Sequence, residues 1–430
     1  MSSLPVSYNP RKTSDPIRAK SFVVREIPIN ASEFQAGNTS VWKIRGGAST
    51  QFADMSSSFI RVLVTNAHTD RSAILGMAGL HGLLQKTHLS QQGSVLGEIS
   101  NYGQYSTIQL AKKASLDYLG GFGKSLSGTT NYKNGITIAS GASVVLCLPV
   151  SHLGGLLSTS KAIPLAGADM ELRLTWGSSD YGVKWGTSAS SVSVTNASLT
   201  FTEVEMVMQI TQISDDAVNA INKLGDFSVL CKGVAHHSNS INSGVSQHTV
   251  NLATQVSQFL GVDWVATNAS DDATTEFQNS KFIQNRLKRW YLTIGGEQIE
   301  NGKGILANCA SEIVALMGID GGYLAKVQNV PSIHPENFDD TQVTGHSGCV
   351  FTQSTENFKS SCATYGEYYS GDENFCSGKS TLNSSVVIQL EYGNDSTGSG
   401  ATTNSLFNAY VTYGMLVTFD KEHMIFRVTH

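Results

Sequence analysis

The sequence is short of the features that usually declare a function. Proline occurs 8 times in 430 residues, and Asp, Glu, Lys and Arg together make up only 15 % of the chain. Disorder requires high net charge on low hydrophobicity, whereas here 40 % of residues are hydrophobic and the formal charge is −5, so a folded chain is expected. No apolar run approaches the roughly 20 residues of a membrane-spanning helix; stretches such as 144–148 have the length of strands. The N-terminus lacks the apolar segment of a secretory signal, so synthesis in the cytosol or nucleus without secretion is expected. Six cysteines, Cys147, Cys231, Cys309, Cys349, Cys362 and Cys376, contain no C-x-x-C pair and are too sparse to staple a chain of this length, so they read as thiols. Cys349, Cys362 and Cys376 lie near His346, but the gaps are wide for zinc ligands.

Catalytic signatures are missing as well. A phosphate-cradling loop needs G-x-x-x-x-G-K-S/T, and the two G-K-S tracts place Glu373 and Tyr118 where its first glycine belongs. Gly120–Gly123 lacks the third glycine of a dinucleotide loop, which falls on Leu126. There is no G-x-S-x-G and no H-E-x-x-H. His236-His237 and the pair His81 and His88 have no carboxylate or cysteine at ligand spacing and read as loop or surface histidines. The adjacent carboxylates Asp215-Asp216, Asp271-Asp272 and Asp339-Asp340 point apart in either helix or strand. No catalytic, cofactor-binding or metal-ligating residue is assigned.

What is abundant is uncharged polarity: 41 glycines, 54 serines and 35 threonines. Across it runs a period of two. Met170, Leu172, Leu174 and Trp176 alternate with Glu171, Arg173 and Thr175, putting the apolar side chains on one face of a half-buried strand. Val204 to Ile210, Val386 to Leu390 and Met424 to Val428 alternate in the same way. Gly/Ser/Thr/Asn-rich connectors over 120–135, 177–191, 236–246 and 393–404 separate them. Few amphipathic helices intervene, so antiparallel β structure is expected. Helices are predicted over 101–115, with Tyr105, Ile108 and Ala111 on one face; over 308–317; and over 214–225, where Ser214 caps, Asp215 and Asp216 favour the positive helix start, Ala217, Ile221 and Leu224 form a stripe, and Gly225 stops it.

That last helix falls at the midpoint. Each side of it has about 200 residues, enough for one β-sandwich of about eight strands, and each repeats the order strands, helix, strands. The N-terminal residues carry Arg11, Lys12, Arg18, Lys20 and Arg25 against Asp15, a basic arm with three prolines. It reads as a solvated tail, an arm exchanged with a neighbouring subunit, or a weak contact with nucleic acid. Arg286, Lys288 and Arg289 beside Trp290 and Tyr291 read as strand entry with snorkelling cations.

The stretch 143–176 also carries Leu148-Pro149, then Gly154-Gly155-Leu156, then Lys161-Ala162-Ile163-Pro164-Leu165, leading into the alternating strand at Met170. This resembles a segment of double jelly-roll viral major capsid proteins of the adenovirus and tectivirus type. Residues 34–44 with 59–65, 97–103 and 291–296 are similar to further parts of that family. The resemblance implies an all-β chain of two consecutive eight-stranded antiparallel jelly rolls: an arm over 1–25, a first jelly roll over 26–213, a linker helix over 214–225 and a second jelly roll over 226–430. It also implies a structural, non-enzymatic role in which homotrimers form pseudo-hexagonal capsomers of an icosahedral virion capsid. Penton and minor capsid proteins would be partners, a double-stranded DNA genome would be enclosed, and assembly would take place in the host cytoplasm or nucleus. A lectin-like β-sandwich module and a β-rich glycoside hydrolase remain the alternatives from the residues themselves.

Overall fold

The computed structural model describes residues 19–76, 78–113, 136–159, 161–186, 198–223, 227–269, 282–283, 285–299, 304–306, 351–354, 378–393 and 400–429. Arg11, Lys12 and Arg18, the helix expected over 308–317 and four of the six cysteines lie outside them.

The first half contains strands β1 (Ala19–Glu26), β2 (Phe34–Gln35), β3 (Thr39–Ile44), β4 (Gln51–Asn66), β5 (Ala73–Leu75), β6 (Leu84–Gln91) and β7 (Ser94–Ser100). Helix α1 (Tyr102–Lys113) follows, and then β8 (Ile136–Ile138), β9 (Ser143–Pro149), β10 (Ile163–Pro164), β11 (Met170–Trp176), β12 (Val183–Trp185) and β13 (Leu199–Ile213). All pairings between strands are antiparallel, as short connections allow. One sheet runs β1-β13-β4-β10, with β2 on β13 and β9 on β4; the facing sheet runs β3-β11-β6-β7. The chain crosses from one sheet to the other between β2 and β3, β3 and β4, and β10 and β11, as in the winding of a jelly roll, and a third, three-stranded sheet runs β12-β5-β8.

Helix α2 (Asp215–Lys223) joins this half to the second. There β14 (Phe227–Ile241), β15 (Gln247–Leu252), β16 (Phe259–Asn268), β17 (Leu287–Ile294), β18 (Glu297–Gln298) and β19 (Ile305–Leu306) precede β20 (Phe351–Ser354), β21 (Val386–Tyr392), β22 (Ser405–Asp420) and β23 (Ile425–Thr429). Their sheets, β14-β22-β16-β20 and β15-β21-β17-β18, repeat the central strand order of the two main sheets of the first half, β1-β13-β4 and β3-β11-β6-β7. The chain is two tandem jelly rolls.

Alternation dictates the cores. Met170, Leu172, Leu174 and Trp176 are all buried, as are Val386, Ile388 and Leu390. Trp176 stacks on Phe201 of the opposite sheet at 4.0 Å, and in the second lobe Trp264 meets Trp290 edge-on at 5.8 Å, so each sandwich is pinned by an aromatic pair across its layers.

Several expectations need adjustment. Residues 19–25, grouped with the arm in the sequence, form a sheet strand: Ala19 pairs with Ile213 and Glu26 with Met206. Lys20 stands opposite Gln212 in that strand. In α2 Val218 is buried and Ala217 half-buried, whereas Ile221 of the expected stripe is exposed; Leu224 and Gly225 lie outside the described residues. Met424 does not begin the last strand; it sits at φ 56° in the preceding turn and is partly exposed. The connector placed at 236–246 is strand up to Ile241.

Candidate functional site

Two polar constructions stand out against the apolar cores. The first is inside the first lobe, where His81, Tyr102 and His152 are all buried. Tyr102 Oη lies 3.0 Å from the His152 carbonyl, which can only accept, so the phenol donates there. His81 Nδ1, 2.7 Å from the same Oη, must therefore donate to it, leaving Nε2 of a neutral ring to accept from His152 Nδ1 at 3.0 Å. A ring of three hydrogen bonds closes, with both imidazoles neutral. Burial holds His81 down to about 3, and burial together with its neighbour holds His152 well below its ordinary value. The ring ties the 3-10 turn Gly79–Leu83 and the turn Val150–Leu153 to the start of α1. His81 is thus a core residue, not the surface histidine its spacing suggested.

The second construction is the seam between the lobes. An amphipathic helix was expected at α1, yet Gln104, Ser106, Thr107 and Gln109 are buried along with Ile108 and Leu110. Their partners come from within the helix and from the other lobe. Ser106 and Thr107 donate to the Gly103 carbonyl. Gln109 Nε2 donates to Asp263 on β16 at 2.9 Å, and Tyr410 of β22 donates to Gln104 Oε1 at 2.8 Å. Tyr181 adds a hydrogen bond to Asn101 Oδ1 at 2.6 Å. His236 of β14 stacks on Tyr410 at 5.0 Å and bonds Asn408 through Nε2. Burial raises the Tyr410 phenol well above its usual range and lowers His236. A signal for this was present: the back of α1 carries uncharged Gln, Ser and Thr, which can be buried once hydrogen-bonded, rather than the Lys and Glu of a solvated face. Replacing Tyr410 with Phe should cost about 1 kcal/mol, since it removes one phenolic proton, shared between Gln104 Oε1 and the Asn101 carbonyl at 3.3 Å, while those acceptors keep bonds from Asn101 Nδ2 and the Tyr105 amide. Chemical denaturation of Y410F measures it.

A further clasp joins the lobes. Gln91 donates to the Ala168 carbonyl at 2.7 Å and accepts from the Phe426 amide at 2.7 Å.

His236 pairs with Tyr410, and Tyr410 with Asp263, across β14, β22 and β16. In the first lobe Glu205 pairs with Arg61 across the matching strands β13 and β4. Glu26 pairs with Met206, the last pair between β1 and β13. Ile27 is 69 % exposed. Arg61 bonds Glu203 at 2.8 Å and Arg25 bonds Glu205 at 3.1 Å.

Of the cations of the expected arm, Lys20 and Arg25 are among the described residues, both exposed on β1. The cations Arg289 and Lys288 enter β17 beside the buried Trp290, with Arg289 opposite Glu391, as strand entry requires. Cys147 and Cys231 are thiols, half-buried and buried. Among the described residues no group of three His, Cys, Asp or Glu is placed to hold a metal.

No family model matches the sequence, and no curated protein does. Solved structures do match. Over 96 % of this chain and 97 % of the other, it superposes on VP54 of PBCV-1, fitted into a reconstruction of the virophage Sputnik, with TM-score 0.63 at 11 % identity. The chain shares the double jelly-roll fold. The major capsid protein of Faustovirus superposes at 0.62 with 9 % identity over 97 % of this chain and 92 % of that one. A structure of the Sputnik virophage itself gives 0.59 at 11 % identity over 99 % and 91 %.

Proposed function

We propose that the protein is a structural major capsid protein, a building block of an icosahedral viral shell. The observation that carries this is the end-to-end superposition of both jelly rolls on capsid proteins, over 96 % of this chain and 97 % of VP54. It favours the shell over the lectin-like and glycoside hydrolase readings, which rest on the sandwich alone.

The physical logic supports a homotrimer. Two sandwiches of one topology per chain, three chains per ring, put six similar sandwiches about one axis, so a three-fold oligomer fits a six-fold lattice position. Low charge suits the packing of many copies, since a strong single-sign field would repel at each contact. In this reading the work is done by burial between copies, with no catalytic step. The finer parts of the reading are the penton and minor capsid partners, an enclosed double-stranded DNA genome, assembly in the host cytoplasm or nucleus, and an arm of Arg11, Lys12, Arg18 and Lys20 in weak contact with the genome or an inner layer.

Light scattering of the purified protein followed by electron microscopy, alone and with co-expressed neighbouring proteins, tests it. Trimers that join into shells are the expected result. Monodisperse monomers at every salt and protein concentration would sink the proposal.

A further inference from the structure

The start of α1 is held twice. Within the first lobe, Tyr102 closes the ring with His81 and His152. Toward the second lobe, its neighbours hold Tyr410 through the Asn101 carbonyl at 3.3 Å, Gln104 Oε1 at 2.8 Å and the Tyr105 ring at 5.5 Å. We propose that His81, Tyr102 and His152 form a proton-operated latch on the seam: acid opens their ring, frees the first turn of α1 and releases its hold on the second lobe while both sandwiches stay folded. The latch lies within one chain and does not depend on the shell-subunit reading.

The ring has no place for a fourth proton. Its three hydrogen bonds use the protons of His81 Nδ1, the Tyr102 phenol and His152 Nδ1, and each bond has its own acceptor. On His81 an added proton would land on Nε2, the atom that accepts from His152 at 3.0 Å, and that bond would become a contact between two donors. On His152 it would make an ion in a site without solvent.

No neighbouring charge offsets that cost. Around the rings pack α1, the turns Gly79–Leu83, Val150–Leu153 and Gly155–Ser158, and strands β4, β5, β6 and β9. The three turns and β5 hold no other ionisable side chain, and α1 from Tyr102 to Leu110 holds only the phenols of Tyr102 and Tyr105. The ionisable groups of the remaining strands have partners of their own. On β4, Asp54 accepts from Ser56 and Ser57, and Arg61 bonds Glu203; on β6, Lys86 and His88 bond Glu98; Cys147 of β9 pairs in register with Arg61. Burial thus holds His81 down to about 3, whereas a freed imidazole titrates near 6.5. Going from pH 7 to pH 4.5 then multiplies the constant for opening on the order of a hundredfold.

The seam is the part that yields. The bonds from α1 to Tyr410 and to Asp263 all depend on where α1 stands. The sandwich cores around Trp176 and Trp290 are apolar and indifferent to pH. Local opening ahead of global unfolding is the expected order.

Hydroxyl-radical footprinting of the full-length protein at pH 7 and pH 4.5, at one protein concentration and read by mass spectrometry, reports the exposure of each side chain. The expected result is that oxidation of Tyr410 rises at least tenfold in acid while the buried Trp176 and Trp290 stay protected. Two variants tie the rise to the ring, each shown to be folded by circular dichroism. His81→Gln cannot titrate. His152→Asn keeps a donor in the place of Nδ1 and can turn its amide to accept from a protonated His81. In each, Tyr410 oxidation should rise less than threefold between the two pH values, and either variant alone suffices. A merely structural role would leave Tyr410 more exposed at pH 7 with the full acid rise still to come; that outcome overturns the latch and hands the acid response to His236 across the seam. Labelling of Tyr410, Trp176 and Trp290 together would overturn it too, since the ring would then fail only with the whole fold. So would a wild-type Tyr410 that stays protected at pH 4.5.

Discussion

Acidification from pH 7 to pH 5 is expected to remove about 2 kcal/mol of stability through His81 alone. His152 adds to the loss in the same direction. Unfolded, each imidazole titrates near its ordinary 6.5; folded, burial holds His81 down to about 3. Between those values the unfolded chain binds a proton that the folded chain refuses. Stability is therefore fully present above pH 6.5 and falls as pH drops from there toward 3. The geometry says why the refusal is firm. A proton added to His81 would go to Nε2, which faces the N–H of His152 at 3.0 Å, so two donors would confront each other in a site without solvent. His236, His237 and His248 are lowered too, by burial, and contribute slope of the same sign. Separating them needs a variant. His81→Gln keeps a donor and an acceptor but cannot titrate, so its midpoint of chemical denaturation should be lower than wild type at pH 7 yet fall less on going to pH 5. Equal falls for the two proteins would remove His81 from the account. The comparison is made at one protein concentration, because self-association stabilises the folded chain by mass action.

The strands most legible in the sequence are those with one face in a core and one in water. Met170 to Trp176 and Val386 to Leu390 are of this kind, and their alternation places every inward residue. Strand β16 is buried from Phe259 to Thr267 on both faces, so it shows no alternation to read. Strand β14 disguised itself differently. Its C-terminal part, His236 to Ile241, is rich in Ser, Asn and His because it runs toward an exposed edge and the seam, and composition alone made it a connector. Even a recognised strand hides its register: Glu203, at φ 48°, marks a bulge in β13, after which the inward set changes from Leu199 and Phe201 to Val204, Met206 and Met208. The site was less legible than the fold, since it consists of meetings between residues 154 and 306 positions apart, Gln109 with Asp263 and Gln104 with Tyr410. Local spacing carries no trace of such pairs. The glycine pair of the 143–176 segment was legible, though without its reason, and the structure supplies one.

Gly155→Ala should destabilise the protein by about 2–4 kcal/mol, overpacking added to the left-handed penalty, although it adds a single methyl group. The residue lies at φ 58°, and a Cβ there would stand 2.5 Å from both the Gly97 Cα and the Leu96 carbonyl oxygen. Neither atom is the tip of a side chain that can swing away, because both belong to the backbone of β7, which is paired to β6 at that point. The contact is reciprocal: a Cβ on Gly97 would stand 2.9 Å from the Gly155 Cα. Two main chains touch here with no side chain between them. The touch has a purpose in the packing, since it lets the turn Gly155–Ser158 drive Leu156 and Leu157 into the core while its other side rests on β14 of the second lobe. Widening the gap would lift those leucines and loosen the seam together. A control separates the crowding from the backbone strain. Gly93, in the β6–β7 turn at φ 87°, has nothing within 4 Å of its would-be Cβ, so Gly93→Ala should cost only the left-handed penalty of about 1 kcal/mol. Denaturation midpoints of the two variants decide between the accounts. A G155A protein no less stable than G93A would mean that β7 yields at Gly97, and the closeness of the two chains would then be an incidental feature of the fold rather than a constraint on it.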